Sequence, residues 1–277
     1  MKVKKNIDQK TVDGFGDEWI RFDQSELSDR ESYMLFEHYF SIFPWENLNN
    51  NPIGFDLGCG SGRWAKFVSP RVFKLYCIDP SKAIEVAKAN LSNRENIVFQ
   101  KADVDSMYLE DGSMDFGYSL GVLHHIPNTQ LALNSCIRKL KKGAPFLLYL
   151  YYNFDNKPNW YKNLWKLSEI FRNFISKMPY NFRYLFSQIF AVLVYLPLSR
   201  LSLLLEFMGL NVSNFPLSSY RNCSFYTMRT DALDRFGTRL EQRFSKSDIE
   251  IMMLNSGLCD IQFNSKFPYW CAVGYKK

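Results

Sequence analysis

The ten residues Phe55-Asp56-Leu57-Gly58-Cys59-Gly60-Ser61-Gly62-Arg63-Trp64 limit the fold more than any other stretch of the chain. The run from Ile53 to Leu57 is apolar and short, as a buried strand is. Three alternating glycines follow, and a helical pattern begins at Arg63. A strand, a tight loop and a helix in that order form the place where open α/β sheets receive nucleoside-containing ligands, beyond the carboxyl ends of the strands. Glycine allows the sharp turn and keeps side chains away from a ligand.

The rest of the first half repeats the alternation, which predicts a parallel sheet. After the strand at 53–57 and a helix at 62–69 comes a strand at Lys74–Ile78, ending in Asp79. A helix carrying Ile84, Val86, Ala87 and Leu91 follows, then a strand at Ile97–Gln100 leading to Asp103. Strands at 114–120 and 145–151 flank a helix at 129–141. Asp56, Asp79 and Asp103 thus stand at the ends of three successive strands. The glycine spacing is G-x-G-x-G, not the G-x-G-x-x-G of dinucleotide loops. A carboxylate just before it suits a ligand with a cationic end better than a pyrophosphate. S-adenosylmethionine carries an ammonium and a sulfonium and no phosphate.

The stretch Asp56–Gly62 resembles motif I of the class I S-adenosylmethionine-dependent methyltransferases. The resemblance implies a Rossmann-like α/β fold: a seven-stranded, mostly parallel sheet with an antiparallel last strand, here with a helical cap inserted after strand five. It implies that Asp79 holds the two ribose hydroxyls, that Asp103 accepts from the adenine amine with Val104 beside it, and that Asp56 helps to place the ammonium. Gly58, Cys59, Gly60, Gly62, Arg63, Pro80, Leu120 and Gly121 complete the expected cofactor contacts. Phe15-Gly16-Asp17-Glu18-Trp19 is similar to an F-G-x-E-W element of sugar and small-molecule methyltransferases. Phe15 and Trp19 either close over the cofactor or simply pack on the sheet. Leu123-His124-His125-Ile126 resembles the family's L-H-H-x element after strand four, and Leu140-Lys141-Lys142-Gly143-Ala144 loosely resembles its L-K-P-G-G turn. His125, then His124, are candidate bases for a substrate hydroxyl, because histidine titrates near neutrality. The alternative is that His125 orients the loop and His124 packs or faces solvent. Tyr152, leaving strand five, is a third catalytic candidate.

Three regions follow from this reading. Residues 1–50 form an N-terminal helical flap, with Val12–Trp19 irregular and a helix capped by Ser28 carrying the Tyr33–Phe43 aromatic stripe up to Pro44. Residues 51–151 and 247–277 form the cofactor domain. It closes with a helix capped by Ser247 and Asp248, a strand at 261–263 and a strand at 270–275. Residues 152–246 form the aromatic-rich insertion, expected by fold analogy to cap the substrate. Its first helix carries Trp160, Leu164, Leu167, Phe171 and Phe174; a second runs from Asn181 to Met208, kinked or split at Pro197. The apolar stretch Ile189–Leu196 is short and interrupted by Gln188, Ser199, Arg200 and Glu206, so no bilayer span is expected. Packing inside the protein and an amphipathic element lying on a membrane are the two alternatives. The run from Ser218 to Arg239 lacks helix or strand periodicity, and loops on a rigid scaffold carry function. Tyr220, Tyr226, Arg229, Asp231, Asp234, Arg235 and Arg239 are the candidate acceptor-recognition residues, with salt bridges among themselves as the alternative.

Composition narrows the partners. A net charge of +6 with scattered basic residues, clustered only at Lys2–Lys5 and Arg138–Lys142, makes no nucleic-acid groove. The absence of a [DN]-P-P-[YFW] or Pro-Cys motif argues against methylation of nucleic-acid bases. Six separated cysteines give neither a zinc pattern nor a disulfide framework, and the charged start of the chain lacks an apolar core, so a cytoplasmic location is expected. No metal site and no oligomeric state is indicated. The expected activity is methyl transfer from S-adenosylmethionine to a small molecule or glycan, at a hydroxyl oxygen. The alternatives are a lipid or quinone-like acceptor, and a non-catalytic cofactor-binding or regulatory subunit of the same fold.

Overall fold

The structure, a computed structural model, describes residues 5–277, so Lys2–Lys4 of the basic N-terminal cluster lie outside the described residues. The chain divides into two compact units. The first comprises residues 1–24, 32–153 and 240–277, and the second residues 25–31 and 154–239. Apart from residues 25–31, the described part of the N-terminal segment groups with the sheet. The return from the insertion lies at 239/240, seven residues earlier than the sequence reading placed it.

The first unit is built on seven strands: β1 (Ile53–Leu57), β2 (Lys74–Ile78), β3 (Ile97–Gln100), β4 (Phe116–Leu120), β5 (Pro145–Tyr149), β6 (Leu258–Phe263) and β7 (Ala272–Lys276). Their order across the sheet is β3-β2-β1-β4-β5-β7-β6. β1 pairs in parallel with β2 and β4, while β7 runs antiparallel to both β5 and β6. The strand order reverses between β1 and β4, which places the switch point of the sheet beside the glycine loop. Side chains alternate between the two faces, as the two-residue strand repeat requires. Phe55, Leu57, Phe146 and Leu148 enter one core with α5 (Thr129–Lys139) and α10 (Lys246–Asn255). Leu75, Cys77, Leu147 and Tyr149 enter the other with α4 (Ala83–Asn90) and with Phe36 and Phe40 of α2 (Asp29–Phe40).

At the centre, β1 and β4 interlock through glycine. Gly54 pairs with Phe116 and Gly117 with Phe55. A Cβ at Gly54 would come within 2.3 Å of the Phe116 ring, and one at Gly117 within 2.4 Å of the Phe55 ring. Each glycine makes room for the aromatic ring opposite.

Several local expectations are corrected. Val12–Trp19 is not irregular: it lies in α1 (Gln9–Arg21), whose N-cap Asp8 accepts from the Thr11 N–H at 2.8 Å. Gly16 is tolerated inside this helix because the helix comes close to the chain there. A Cβ would sit 3.2 Å from the Lys82 nitrogen. The helix after the glycine loop is a single turn, α3 (Ala65–Val68), which passes into a 3-10 turn at Ser69–Arg71 containing Pro70. The N-cap of α10 is Ser245, not Ser247. Its hydroxyl accepts from the Asp248 N–H while Asp248 accepts from the Ser245 N–H, a reciprocal capping box. The Ser28 cap holds, with its hydroxyl accepting from the Glu31 N–H at 3.2 Å.

The second unit is helical: α6 (Asn159–Ile175), α7 (Tyr180–Phe190), α8 (Leu196–Phe207) and α9 (Phe225–Gly237). Its core gathers Ile175, Ala191, Tyr195, Met228, Ala232 and Phe236. Pro197 does not split the second helix. A π-helical turn at Ala191–Tyr195 joins α7 to α8, leaving a helical run from Tyr180 to Phe207. The wider turn accommodates a residue that cannot donate to the regular ladder. By length and composition alone this run is long enough and apolar enough to cross a membrane. Length and composition do not by themselves make it a bilayer span. The 218–239 run is likewise not a loop. Most of it is α9, opened by the Ser224 side chain accepting from the Thr227 N–H. Its apolar periodicity is weak because this helix also buries polar residues.

Candidate cofactor and active site

The loop after β1 is held by backbone geometry. Gly58, Gly60 and Gly62 have φ of 80°, 53° and 80°, the left-handed region that favours glycine. The N–H groups of Gly58 and Cys59 both donate to the Ile78 carbonyl, at 2.7 and 3.1 Å, hooking the loop onto the end of β2. The space a side chain would need is taken by the protein itself. A Cβ at Gly58 would lie 2.3 Å from Val122, one at Gly62 2.6 Å from Leu91, and one at Gly60 3.1 Å from the Trp19 indole.

Three acids surround this loop. Asp79 anchors it: one carboxylate oxygen accepts from the Gly60 N–H at 3.0 Å, and the other from the Ser81 N–H and hydroxyl at 2.8 and 2.6 Å. Burial raises the Asp79 carboxyl, against the pull of the Ser81 and Gly60 hydrogen bonds. A carboxylate oxygen accepts more than one hydrogen bond, so both can still meet ligand hydroxyls. Asp56 is fully enclosed. Burial raises its carboxyl to about 8, the nearby Tyr118 hydroxyl limits the rise, and the charge of Asp79 adds to it. One of its oxygens is buried without a hydrogen bond. Asp103 is half-buried at the end of β3 and caps its own turn, accepting from the Asp105 N–H at 3.1 Å and the Ser106 hydroxyl at 2.6 Å. Val104 beside it is buried.

The edges of the site come from α1 and from the turn after β4. The Arg63 guanidinium lies 5.5 Å from the Trp19 ring centroid and 4.2 Å from that of Trp64. The Phe15 and His125 ring centroids are 4.8 Å apart. Phe15 and Trp19 therefore border the loop and the histidine turn together. After Leu120, Gly121 has φ of 78° and its N–H donates to the Tyr149 carbonyl at 3.0 Å. Nothing lies within 4 Å of where its Cβ would be, so this is the one glycine of the site that faces open space. Pro80 follows Asp79 directly and continues the same rim.

The two histidines differ. His124 is fully buried, its ring 3.9 Å from that of Tyr151, and the Tyr151 N–H points to its Nδ1 at 3.4 Å. Burial holds it well below the usual imidazole range, and the neighbouring His125 and Arg243 push the same way, so it stays neutral. His125 lies against the Leu240 carbonyl, with Nδ1 at 2.6 Å. A carbonyl only accepts, so the proton sits on Nδ1 and Nε2 is the basic nitrogen. Tyr152 is buried, with its ring against Tyr269 and its backbone bridged to Phe244.

The sequence reading missed residues 240–244 as part of this site. Leu240 fixes His125. The Gln242 N–H donates to the His124 carbonyl at 3.1 Å, and its side chain donates to the Ile126 carbonyl at 2.8 Å. Arg243 pairs with Glu241 at 2.7 Å, donates to the Tyr152 carbonyl at 3.1 Å and lies 5.1 Å from the Tyr151 ring centroid. No periodicity marks this segment in the sequence, because Glu241, Gln242 and Arg243 stand together between Leu240 and Phe244.

The seven acceptor-recognition candidates lie in the second unit, and most bond within it. Arg229 donates to the Gln188 side chain at 2.7 Å and the Tyr184 hydroxyl at 2.9 Å. Arg235 pairs with Glu169 and donates to the Ser168 hydroxyl. Tyr220 is raised well above the ordinary phenol range by burial and then by Asp231. Asp234 accepts from the Thr238 hydroxyl at 3.2 Å, and Tyr226 is buried. Arg239 is exposed.

Comparison with known proteins agrees with this geometry. Residues 55–148, about a third of the chain, match the family model described as a methyltransferase domain. A 37.1 kDa protein in transposon TN4556 of Streptomyces fradiae is 28% identical over 109 residues, which are 38% of this chain and 30% of that protein. The chain thus spans under a third of the length of the curated relative it matches. Among solved structures, the S-adenosylmethionine-dependent methyltransferase SibL in its apo form superposes with a TM-score of 0.53 at 11% identity, covering 88% of this chain and 55% of SibL. A chain of the Haloferax volcanii complex that contains the Trm112 methyltransferase activator superposes with a TM-score of 0.50 at 14% identity, covering 92% and 96%. These two likenesses concern the fold. The site residues fit the cofactor of that family: a buried carboxyl oxygen without a partner suits an ammonium, and the Asp79 anchor and the open face of Gly121 leave room for a nucleoside. Residues 55–148 thus carry the methyltransferase domain that the family model describes, within a class I methyltransferase-like fold.

Proposed function

We propose that this protein transfers a methyl group from S-adenosylmethionine to a hydroxyl oxygen of a small-molecule or glycan acceptor, with His125 as the base. The observation that carries this reading is the Leu240 carbonyl, 2.6 Å from His125 Nδ1, which makes Nε2 the proton acceptor. When bound, the cofactor supplies an electrophilic methyl on a sulfonium centre. The chain does the positioning, on which such a displacement depends. Asp79 would take the ribose hydroxyls on its remaining lone pairs, and Asp103 would accept from the adenine amine. Asp56 would meet the ammonium, and Phe15 and Trp19 would cover the bound cofactor. The Leu240–Phe244 strap keeps the histidine turn rigid, and His125 removes the acceptor proton as the new bond forms. Arg239, exposed where its six companions are engaged, keeps the acceptor-recognition role. Six free cysteines without a disulfide support a reducing, cytoplasmic setting.

A second reading, a lipid or quinone-like acceptor, is supported by the outward apolar side chains of α6 and α8. The test is transfer of labelled methyl from S-adenosylmethionine to a panel of hydroxylated small molecules, glycans and lipid extracts, with His125→Gln in parallel. The expected result is transfer to one class, with kcat at least 100-fold lower in His125→Gln at unchanged S-adenosylhomocysteine affinity. An undiminished His125→Gln removes the base. Tight S-adenosylhomocysteine binding with no transfer to any class makes the protein a non-catalytic binder.

A further inference from the structure

The helices of the second unit carry large apolar side chains on their outer faces as well as in their core. A soluble helix buries its apolar stripe and shows its polar one. On α6 the inward face sets Ile175 of the core beside polar residues. Arg172 pairs with Glu169 at 3.0 Å and donates to the Thr238 carbonyl at 3.1 Å, and Arg235 reaches the Ser168 hydroxyl at 3.0 Å. The outward residues are Leu164, Leu167, Ile170, Phe171 and Phe174, with Phe174 69% exposed. The run from Tyr180 to Phe207 repeats the pattern beside its core residues Ala191 and Tyr195. Ser187, Ser199 and Ser202 are 0% exposed, whereas Leu193 is 69% and Phe207 90% exposed. Each buried serine hydroxyl bonds back to its own helix, to the carbonyls of Tyr184, Leu196 and Ser199, so these three hydroxyls need no water. Buried polar side chains that are satisfied inside the protein, with large apolar ones turned outward, are an arrangement that hydrocarbon surroundings favour. The outward side chains are large and apolar along both helices, from Leu164 at 46% to Phe207 at 90% exposed.

Charge identifies the occupant. Residues 154–239 contain 11 Lys and Arg against 5 Asp and Glu, a net +6 that equals the net charge of the whole chain. Lys162 and Lys166, one turn apart, border the apolar stripe of α6; exposed Lys177 follows its end, and Arg200 is exposed on α8. Trp160, 53% exposed, stands at the start of α6, as an aromatic anchor does at a membrane interface. Apolar faces bordered by cations match an anionic lipid surface. One side of α7 is taken by α9, with Arg229 bonded to Gln188 and Tyr184 across them. Only the outer faces are left to meet lipid, which favours lying along one leaflet over crossing the bilayer.

We propose that the second unit is a membrane-docking module, with the outer faces of α6 and of the α7–α8 helix seated in one leaflet of an anionic bilayer. This does not rest on the transfer reaction proposed above. The test uses the full chain in a flotation assay with vesicles of phosphatidylcholine alone and of phosphatidylcholine with one quarter phosphatidylglycerol. The expected result is at least tenfold stronger binding to the anionic vesicles, reduced several-fold but not abolished by 0.5 M salt. Leu167→Glu/Phe174→Glu/Leu193→Glu should lose at least tenfold in binding while keeping its circular dichroism and its thermal response to S-adenosylhomocysteine. Phe207→Glu alone, at the most exposed site, provides the milder variant should the triple one misfold. Brominated acyl chains should quench tryptophan emission, and Trp160→Phe should reduce that quenching. Three results overturn the proposal: a monomer that ignores both vesicles, a discrete oligomer that ignores vesicles and dissociates in the triple variant, and protease protection on both sides of the bilayer. Vesicle binding without any response to S-adenosylhomocysteine would instead unseat the methyltransferase reading and leave the docking intact.

Discussion

Asp56 and His124 are both buried titratable groups, and they move stability in opposite directions. The folded Asp56 carboxyl, raised to about 8, keeps a proton that the unfolded chain loses near 4. Its contribution to stability therefore falls as pH rises from about 4 to about 8. Asp56→Asn, which mimics the protonated form, should remove that fall and raise Tm at pH 7 by a few degrees in a thermal melt. The same substitution should cut S-adenosylhomocysteine affinity on the order of 100-fold, because the ammonium loses its carboxylate. In the unsubstituted protein the ammonium must draw the carboxyl into its ionised form. Calorimetric affinity should then rise on the order of tenfold or more between pH 6 and 8, and stay flat over that range in Asp56→Asn. His124, held well below the imidazole range, is neutral in the fold while the unfolded ring takes up a proton below about 6.5. Stability should drop as pH falls through that value, and His124→Gln should flatten that limb of the curve.

At the level of elements, the strand–loop–helix unit was legible because its signals are local. Alternation, three glycines and an acid at each strand end need only the next few residues. β1, β2 and β3 lie where the apolar runs placed them. What was not legible is why each glycine is needed. Gly58 and Gly121 share a left-handed φ, yet a Cβ at Gly58 would strike Val122 whereas one at Gly121 meets nothing. Gly58→Ala should therefore cost about 3 kcal/mol or more, from strain and overpacking together. Gly121→Ala should cost only about 1 kcal/mol, the backbone share, but should still weaken S-adenosylhomocysteine binding by crowding the open face. Urea midpoints with calorimetry on both variants separate the two effects. Helices α1 and α9 were hidden for another reason. Their periodicity is blurred by residues whose partners are remote in sequence, such as Gly16 against Lys82 and Arg229 against Gln188.

For the whole molecule, the informative quantity is where charge and apolar surface lie. Residues 154–239 hold the entire net charge, and the same segment shows most of the large exposed apolar side chains. Inside that unit, Glu169 serves two cations, Arg172 and Arg235. Glu169→Ala leaves two largely buried guanidinium groups without that counter-charge and should cost about 3 kcal/mol. A denaturant titration would show this as a lower midpoint at unchanged slope. An unchanged midpoint would mean that neighbouring carbonyls suffice.

The sequence by itself determined the parallel sheet, the glycine loop, the three acids at strand ends and the cofactor class they suit, because each depends on spacing within one strand–loop–helix repeat. Only the tertiary structure decided which histidine nitrogen is basic, which glycines face protein and which faces open space, and which side of α6 and α8 turns outward. Each of those depends on an atom far along the chain: the Leu240 carbonyl for His125, Val122 for Gly58, Arg235 for Glu169. Periodicity marks a face as apolar or polar. It carries no information on which face turns inward, and in the second unit apolar side chains line both the core and the outer faces.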